Sequence, residues 1–357
     1  MDILDKIKKA GLIGRGGGCF PVADKWLMVR EAPSASSGQA KGNKYVVCNA
    51  SEGEPGVKKD GYIIEHFADR VIEGMTIAIE TIKAEKGIFY LNPVYHKKYK
   101  RLLTQYIAQS GAAVELFMKP HEAGYIGGEE TSLLNAIEGR RIEPRMRPPY
   151  PPQAGLWGSP TLINNVETFY NVSLVNADEY KGERFYTITG DCLYENVYQL
   201  PADWSIEKIL KTTHNYPNFP FFVQIGGDGS GTVLNSKQLD QPAGGAGSIR
   251  VYSLTKYKPR ELMLHWATFF SLESCGQCTP CRDGNLRLKE ILSEEEPDWR
   301  TAAELLDNLS DTSFCGLGCA AAVAIKSYVK NVLSAMPDNE IVLAKGEKQE
   351  ICSCFAI

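Results

Sequence analysis

Four cysteines in the last third of the chain have the spacing of a metal-cluster site. Cys275, Cys278 and Cys281 form a C-x-x-C-x-x-C run, and Cys315 follows farther on in SFCGLG. Three clustered thiolates plus a distant fourth are typical of a [4Fe–4S] cluster, in which each iron takes one cysteine. A structural zinc more often uses two separated C-x-x-C pairs or includes histidine, and no histidine lies between Cys275 and Cys319. The pattern favours an iron–sulfur cluster, with a zinc knuckle or reduced thiols as the alternatives.

The other six cysteines are not part of the predicted ligand set. Cys319 is the rival for the fourth position, because it follows Cys315 by about one helical turn. The remaining five cysteines are interpreted as plain thiols: Cys19, Cys48, Cys192, Cys352 and Cys354.

A glycine-rich segment near the amino terminus could bind a phosphate. In GLIGRGGGCFP, Gly14 and Gly16–Gly18 leave the backbone free to approach a ligand, and successive N–H groups in such a loop form an anion-binding nest. Arg15 and Lys25 add positive charge. The usual dinucleotide fingerprint needs a preceding strand, whereas a helix pattern precedes this loop. A flexible hinge is the alternative.

Two pairs of acidic residues are also candidates for ligand contacts. Glu52 and Glu54 come after the strand pattern KYVVC, where α/β folds bind ligands; a solvated turn explains them equally well. Glu129 and Glu130 begin a helix after the turn GYIGG. They could contact ligand hydroxyls, or could simply suit the helix dipole.

The start of another predicted helix could also hold a phosphate. Asn164, Asn165 and Thr168 are predicted to open a helix after an extended, proline-rich stretch. The unpaired N–H groups at such a terminus bind anions.

The elements that position these residues alternate. Strands are predicted at Lys44–Cys48, Gly87–Leu91 and Ala113–Phe117, with helices at 65–84 and Lys97–Gln109 between them. This β-α-β-α-β order predicts a mostly parallel sheet.

The later chain changes character. Short alternating strands, RFYTITG, NVYQLP and FFVQIGG, surround one helix, Ser205–Lys211, and suggest a small β-grasp-type insert. From Pro259 onward the pattern is helical. We expect three domains: 1–176, 177–250 and 251–357.

The bulk composition is that of an ordinary globular protein. The chain has 357 residues and a net charge of −4, which does not indicate a nucleic-acid surface. No signal peptide and no apolar run of about 20 residues is apparent, so direct membrane insertion is not expected. Ten cysteines without an export signal indicate a reducing compartment, and hence a cytoplasmic location.

The order of these motifs resembles one family closely. GRGGGCFP, NASEGEPG, YIGGEETSLLNAIEG, PRMRPPYPPQAGLWGSPTLINNVET, ESCGQCTPCRDG and CGLG follow one another. This resembles the NADH-oxidising flavoprotein subunit of respiratory complex I and its soluble relatives, the diaphorase subunits of NAD-linked hydrogenases, formate dehydrogenases and electron-bifurcating enzymes. The resemblance extends from Leu12 to about Leu333.

The resemblance implies a Rossmann-like α/β domain that binds FMN and NADH, then a β-grasp-type domain and a helical bundle with a [4Fe–4S] cluster. The positions that match FMN contacts are Gly14, Arg15, Gly16, Gly17, Lys25, Asn49, Ser51, Tyr125, Asn164, Asn165 and Thr168. The positions that match NADH contacts are Phe20, Glu52, Glu54, Glu129 and Glu130. The cluster ligands are Cys275, Cys278, Cys281 and Cys315.

Several positions depart from the family pattern. Cys19 replaces a glycine, Ser51 an aspartate, Gly53 a serine and Gly127 a cysteine, while Arg147 replaces a lysine. A glycine at 53 suggests a peptide that can reverse its orientation, because glycine tolerates positive φ; a plain tight turn is the alternative.

The expected activity is conversion of a two-electron donor into single electrons. A hydride passes between NADH and FMN, and electrons continue to the cluster. We expect a thioredoxin-like [2Fe–2S] subunit and a larger iron–sulfur subunit as partners. The alternatives are an electron-bifurcating or NADP-linked subunit, a cluster-bearing assembly subunit that has lost FMN, and a regulatory nucleotide-binding module.

Overall fold

Two compact units make up the chain. The computed structural model describes residues 2–33, 43–335, 337 and 346–355. The first unit contains Met1–Gly53 and Lys58–Phe185, and the second contains Glu54–Val57 and Tyr186–Ile357. The three-domain division expected from the sequence stays a prediction.

The first unit is built on a four-stranded parallel sheet. Its strand order is β3-β2-β1-β4, and every adjacent pair is parallel. The strands are β1 (Tyr45–Ala50), β2 (Lys86–Leu91), β3 (Val114–Met118) and β4 (Thr161–Asn165). Strand β1 therefore lies at the centre, and its carboxyl end has a parallel neighbour on each side.

Hydrophobic runs explain why these segments form the sheet. Nearly all of β1 and β2 is buried, as expected for parallel strands covered on both faces. The helices of this unit are α1 (Ile3–Lys9), α2 (Val22–Glu31), α3 (Lys59–Ile82), α4 (Pro93–Ser110), α5 (Glu130–Ile137), α6 (Pro151–Ala154) and α7 (Val166–Asn176). The parallel sheet with helical connections confirms the Rossmann-like fold class.

Two elements of the first unit differ most clearly from the sequence prediction. Helix α3 begins at Lys59 and is interrupted by non-helical backbone at Phe67, whereas the amphipathic pattern marked only its later part. Asn164 was expected to open a helix, but it lies in β4 and pairs with Cys48 of β1. That expectation was wrong because the preceding prolines hid a short strand; Asn165 is the N-cap of α7.

The second unit begins with a mixed five-stranded sheet. Its strand order is β6-β5-β9-β7-β8; β5 and β9 are parallel, and β7 is antiparallel to both β8 and β9. One helix, α8 (Ile206–Thr212), packs its apolar face with the core of this sheet. The strands are β5 (Glu183–Gly190), β6 (Asn196–Pro201), β7 (Phe221–Ile225), β8 (Thr232–Asn235) and β9 (Ser248–Ser253).

Helices complete the second unit and carry the cluster cysteines. Helix α10 packs against α9 and α11. The helices are α9 (Pro259–Glu273), α10 (Thr279–Ser293), α11 (Trp299–Thr312), α12 (Gly316–Ala320), α13 (Val323–Tyr328), which continues into a π-helical turn at Val329–Leu333, and α14 (Glu347–Cys354). Across the described residues, no helix is both long and apolar enough to cross a membrane.

Candidate functional site

The glycine-rich loop is a closed, exposed hairpin between α1 and α2. An antiparallel bridge joins Ile13 to Pro21, and the N–H of Gly14 donates to the carbonyl of Phe20 at 2.8 Å. Gly17 has φ +104°, which requires a glycine. A Cβ on Gly17 would meet no atom within 4 Å, so this part of the loop faces open space.

The base of the loop is fixed to the start of α7. The backbone N–H of Arg15 donates to the Thr168 hydroxyl at 3.0 Å. Gly16 lies close to Asn165, where an added Cβ would come within 3.2 Å of the Asn165 Cβ. The structure thus brings the predicted phosphate-loop residues together with Asn165 and Thr168.

Two buried polar atoms, one in this loop and one at the end of β4, lack hydrogen-bond partners in the described part of the chain. They are Nε of Arg15 and Oδ1 of Asn164; Arg15 is 5% exposed and Asn164 7% exposed. A buried polar group without a partner costs roughly 1–3 kcal/mol. Together with the exposed loop, these atoms fit a polar ligand such as FMN, whose phosphate and ring offer both acceptors and donors.

The carboxyl end of β1 contacts the second glycine turn. The Asn49 amide donates to the carbonyl of Gly128 at 2.9 Å. Lys119, which sequence reasoning missed, is buried and donates to the Ser51 hydroxyl at 2.8 Å. A Cβ on Gly128 would lie 3.0 Å from that same hydroxyl. The predicted flavin positions Asn49 and Ser51 are therefore joined to the turn that carries Tyr125.

Gly53 is constrained differently from the sequence hypothesis. Glu52 has a positive φ of +30°, whereas the φ of Gly53 is not positive. A Cβ on Gly53 would lie 3.3 Å from Cα and from Cδ2 of Tyr125. Close approach of Tyr125 favours glycine in this conformation, and the reversible peptide stays a prediction.

The paired acidic residues at the start of α5 are both bound to cations. Glu129 caps the helix by accepting from the N–H groups of Thr131 and Ser132, and its other oxygen contacts Arg147. Glu130 forms ion pairs with Lys25 at 3.1 Å and Arg147 at 3.5 Å. Two carboxylates thus face two cations, so this part of the site is nearly neutral.

A buried charge network lies at the start of α3, and no sequence signal marked it. Lys59, 2% exposed, contacts Asp60 at 2.7 Å and Glu167 at 3.2 Å, and it donates to the side chain of Asn165 at 3.0 Å. Burial alone would lower the pKa of Lys59, but the carboxylates of Asp60, Glu167 and Glu52 outweigh it and raise that pKa. The network fixes Asn165, which is one of the predicted flavin residues.

Glu52 joins the same network. Its carboxylate accepts the N–H groups of Asp60 at 2.7 Å and Gly61 at 3.1 Å, together with the Tyr95 hydroxyl. Burial, and then the charge of Asp60, raise the pKa of Glu52 to about 7. A carboxyl with this pKa exchanges its proton near neutral pH.

Two predicted nucleotide residues have other surroundings. Glu54 belongs to the second unit, where its carboxylate accepts the N–H groups of Gly229 and Ser230, both at 2.9 Å. The structure therefore gives Glu54 a role in holding the turn between β7 and β8. Phe20 is 46% exposed, so its ring remains available to pack against a planar ligand.

The four cluster cysteines lie together in the second unit. Burial raises the pKa of Cys281, and the charges of Cys278 and Cys275 add to the increase. Burial also raises the pKa of Cys315 to about 11, again with contributions from Cys275 and Cys281. The N–H groups of Leu317 and Gly318 oppose this by bonding to the Cys315 sulfur. Cys281 thus interacts with Cys275, Cys278 and Cys315, and four thiols grouped in this way are a donor set that fits a [4Fe–4S] cluster.

The rival fourth ligand has a partner of its own. Cys319 directs its thiol to the Ser313 carbonyl at 3.8 Å. Within the described ranges, no group of three or more His, Cys, Asp or Glu side chains is close enough to hold a single metal ion. Cys315 interacts with Cys275 and Cys281, which favours it as the fourth ligand.

Two family descriptions match parts of this chain. The Nuo51 FMN-binding domain matches residues 7–174, and the NADH-ubiquinone oxidoreductase-F iron–sulfur binding region matches residues 261–336. The chain is 32% identical to the F subunit of NADH-quinone oxidoreductase from Aquifex aeolicus, covering 92% of this chain and 84% of the relative. It is also 32% identical to NADP-reducing hydrogenase subunit HndC of Solidesulfovibrio fructosivorans, covering 89% and 71%.

Solved structures show the same fold. A chain of an NAD+-reducing [NiFe]-hydrogenase in the H2-reduced state superposes with a TM-score of 0.80 at 28% identity. The match covers 96% of the present chain and 63% of the hydrogenase chain, so the present chain spans less than two thirds of that relative.

These findings define the class as an oxidoreductase flavoprotein of the NADH-dehydrogenase type, with an FMN-binding domain and a [4Fe–4S] region. The chain belongs to the family of NADH-quinone oxidoreductase F subunits.

Proposed function

We propose that this chain takes electrons from NADH at the FMN site of the first unit and delivers them singly, through its [4Fe–4S] cluster, to partner iron–sulfur subunits. One observation carries the flavin assignment. The buried Oδ1 of Asn164, the residue before the N-cap of α7, has no partner within the described residues, and the glycine-rich loop is hydrogen-bonded to the start of that same helix.

The residues of the first unit would hold FMN in two groups. The loop N–H groups, Arg15 and Thr168 suit its phosphate. Asn49, Ser51 and Tyr125, near the end of β1, suit the ring system. When bound, FMN accepts a hydride and releases electrons one at a time.

The chain's own groups bind and orient the nucleotide. Phe20 offers a face for a planar base, and Glu130 offers a carboxylate to ribose hydroxyls. Glu52 holds or releases a proton near neutral pH. Holding the nicotinamide against the flavin makes the transfer effectively intramolecular, which removes much of the entropic barrier.

Use of NADPH is a second candidate, favoured by the ion pairs of Arg147 and Lys25. These cations neutralise Glu129 and Glu130, which would otherwise repel a 2′-phosphate. A relative with comparable identity is named as an NADP-reducing hydrogenase subunit.

Partner subunits are part of the proposal. A single cluster gives electrons one stop before they leave the chain, so a thioredoxin-like [2Fe–2S] subunit and a larger iron–sulfur subunit would continue the path. We propose a cytoplasmic location for this assembly, consistent with the ten cysteines.

The test measures flavin content and its reduction. Purified protein should contain FMN that NADH bleaches under anaerobic conditions. Asn164→Leu should lose FMN because it removes the amide oxygen, whereas Asn171→Leu, the same change at a buried site in α7, should retain it. Protein without FMN, or with FMN that neither nucleotide bleaches, would overturn the proposal.

A further inference from the structure

We propose that Asn285 and Ser274 are positioning residues that donate hydrogen bonds to the sulfur of Cys281 and thereby raise the reduction potential of the cluster. The inference rests on the cluster assignment made above. It concerns a single ligand, Cys281, and the two side chains that contact its Sγ.

Asn285 contacts Cys281 from the next turn of α10. Its amide Nδ2 lies 2.8 Å from the Cys281 carbonyl oxygen and 3.4 Å from the Cys281 sulfur. Side chains four residues apart share one face of a helix, so this spacing brings the amide over the cysteine. Asn285 is fully buried, and no solvent competes for its N–H groups.

The orientation of the Asn285 amide is fixed by its surroundings. Both neighbouring atoms of Cys281, the carbonyl oxygen and a ligating thiolate, are acceptors. Reversing the amide would point Oδ1 at both of them, which is repulsive. The actual Oδ1 has no hydrogen-bond partner within the described chain. The Asn285 amide thus donates toward the sulfur although its own oxygen has no partner among the described residues. This arrangement indicates a role for the donor.

Ser274 contacts the same sulfur from the end of α9. Its Oγ lies 3.4 Å from Sγ of Cys281 and accepts the N–H of Gly276 at 3.3 Å. In the free thiol, the S–H donates to this oxygen. Once the thiolate binds iron, the sulfur becomes an acceptor, and the serine hydroxyl can rotate its hydrogen toward it.

The donors at Cys281 differ in kind from those at Cys315. At Cys315 the N–H groups of Leu317 and Gly318 oppose the rise in pKa, and these belong to the backbone. At Cys281 both donors are side chains, so their number depends on the residue types at 274 and 285. Cys281 is also the most buried of the four cysteines, at 4% exposed.

The effect on potential follows from charge. Reduction adds one negative charge to the cluster and its thiolates, and hydrogen bonds to the sulfurs stabilise the more negative state. In a site shielded from water, each donor counts for more than it would at the surface. Removing either donor should therefore make the cluster harder to reduce.

The experiment is a redox titration of the purified holoprotein followed by electron paramagnetic resonance. Asn285→Leu keeps the approximate volume and removes the donor; Ser274→Ala removes the other. Ser293→Ala is the control, because its hydroxyl lies on α10 but bonds to the Lys289 carbonyl at 2.7 Å. Iron and sulfide content are measured for every protein.

Both donor variants should shift the midpoint potential to more negative values, and the double variant further, while the control matches wild type. The inference is overturned if Ser274→Ala leaves the midpoint potential unshifted and Asn285→Leu, with its cluster intact, does so too. If Asn285→Leu loses iron, the midpoint potential of Ser274→Ala alone tests the inference. A wild-type protein with no four-iron signal would instead refute the cluster assignment itself.

Discussion

The Tyr95 hydroxyl donates a hydrogen bond to the carboxylate of Glu52, whose backbone adopts a positive φ of 30°. Burial and the nearby Asp60 raise the pKa of Glu52 from 4.5 to about 7, and burial also raises the pKa of Asp60. In this range the folded protein binds more protons than the unfolded chain. The free energy of unfolding should therefore fall as pH rises from about 4.5 to about 7.

Glu52→Gln should remove part of this decline. A change of one pKa unit corresponds to about 1.4 kcal/mol, so Glu52 accounts for on the order of 1–3 kcal/mol across the window. Urea unfolding at several pH values measures it. Glu65→Gln, an exposed change on the same helix, should leave the decline in place. An unchanged slope in Glu52→Gln would show that the carboxyl is ionised throughout.

The fourth cluster ligand can be tested at two neighbouring cysteines. Cys315→Ala should lose or convert the cluster, because three thiolates leave one iron without its ligand. Cys319→Ala should retain full iron and sulfide, since its thiol turns to the Ser313 carbonyl. Iron content and the visible absorption of the cluster report both results. The opposite pattern would assign the ligand to Cys319.

Arg147 should control the choice of dinucleotide. Arg147→Ala would remove the cation that contacts Glu129 and would leave Glu130 with Lys25. The freed charge would repel a 2′-phosphate while still accepting ribose hydroxyls. We expect the ratio of kcat/KM for NADH over NADPH to rise roughly tenfold, which corresponds to about 1.4 kcal/mol. Arg141→Ala, a change at an exposed arginine, is the control. A fall in the ratio would contradict this role.

Replacing Gly74 with any larger residue should lower the free energy of unfolding. A Cβ there would lie 2.0 Å from the carbonyl oxygen of Phe169 in α7, so Gly74→Ala forces α3 away from α7. We expect a loss of about 1–3 kcal/mol in unfolding free energy. Gly284→Ala in α10 is the matched control: its Cβ would be 3.4 Å from Leu309, and alanine favours a helix. Equal effects at the two positions would contradict the steric argument.

Local patterns predicted the sheet of the first unit well. The runs KYVVC and GIFYL lie largely within β1 and β2, because buried parallel strands are continuously hydrophobic. Strand β4 was missed because only five residues follow a proline-rich stretch, and pairing with β1, rather than local propensity, makes them a strand.

Long-range partners explain what the sequence could not reveal. Lys59 reads as an exposed residue, yet it is buried because Glu167 and Asn165, distant in sequence, supply its charge and hydrogen-bond partners. The roles of Glu129 and Glu130 likewise depend on Arg147 and Lys25. The motifs located the candidate site, but the charges that surround it depend on tertiary contacts.

The assignment of Glu54–Val57 to the second unit has a consequence for biosynthesis. The N–H groups that bind the Glu54 carboxylate belong to Gly229 and Ser230, which leave the ribosome long after residue 54. The first unit can complete its sheet during translation, but this short segment must wait for its partners. Contacts so distant in sequence form slowly, and a chain interrupted before residue 229 would leave the turn beside Glu52 without its anchor.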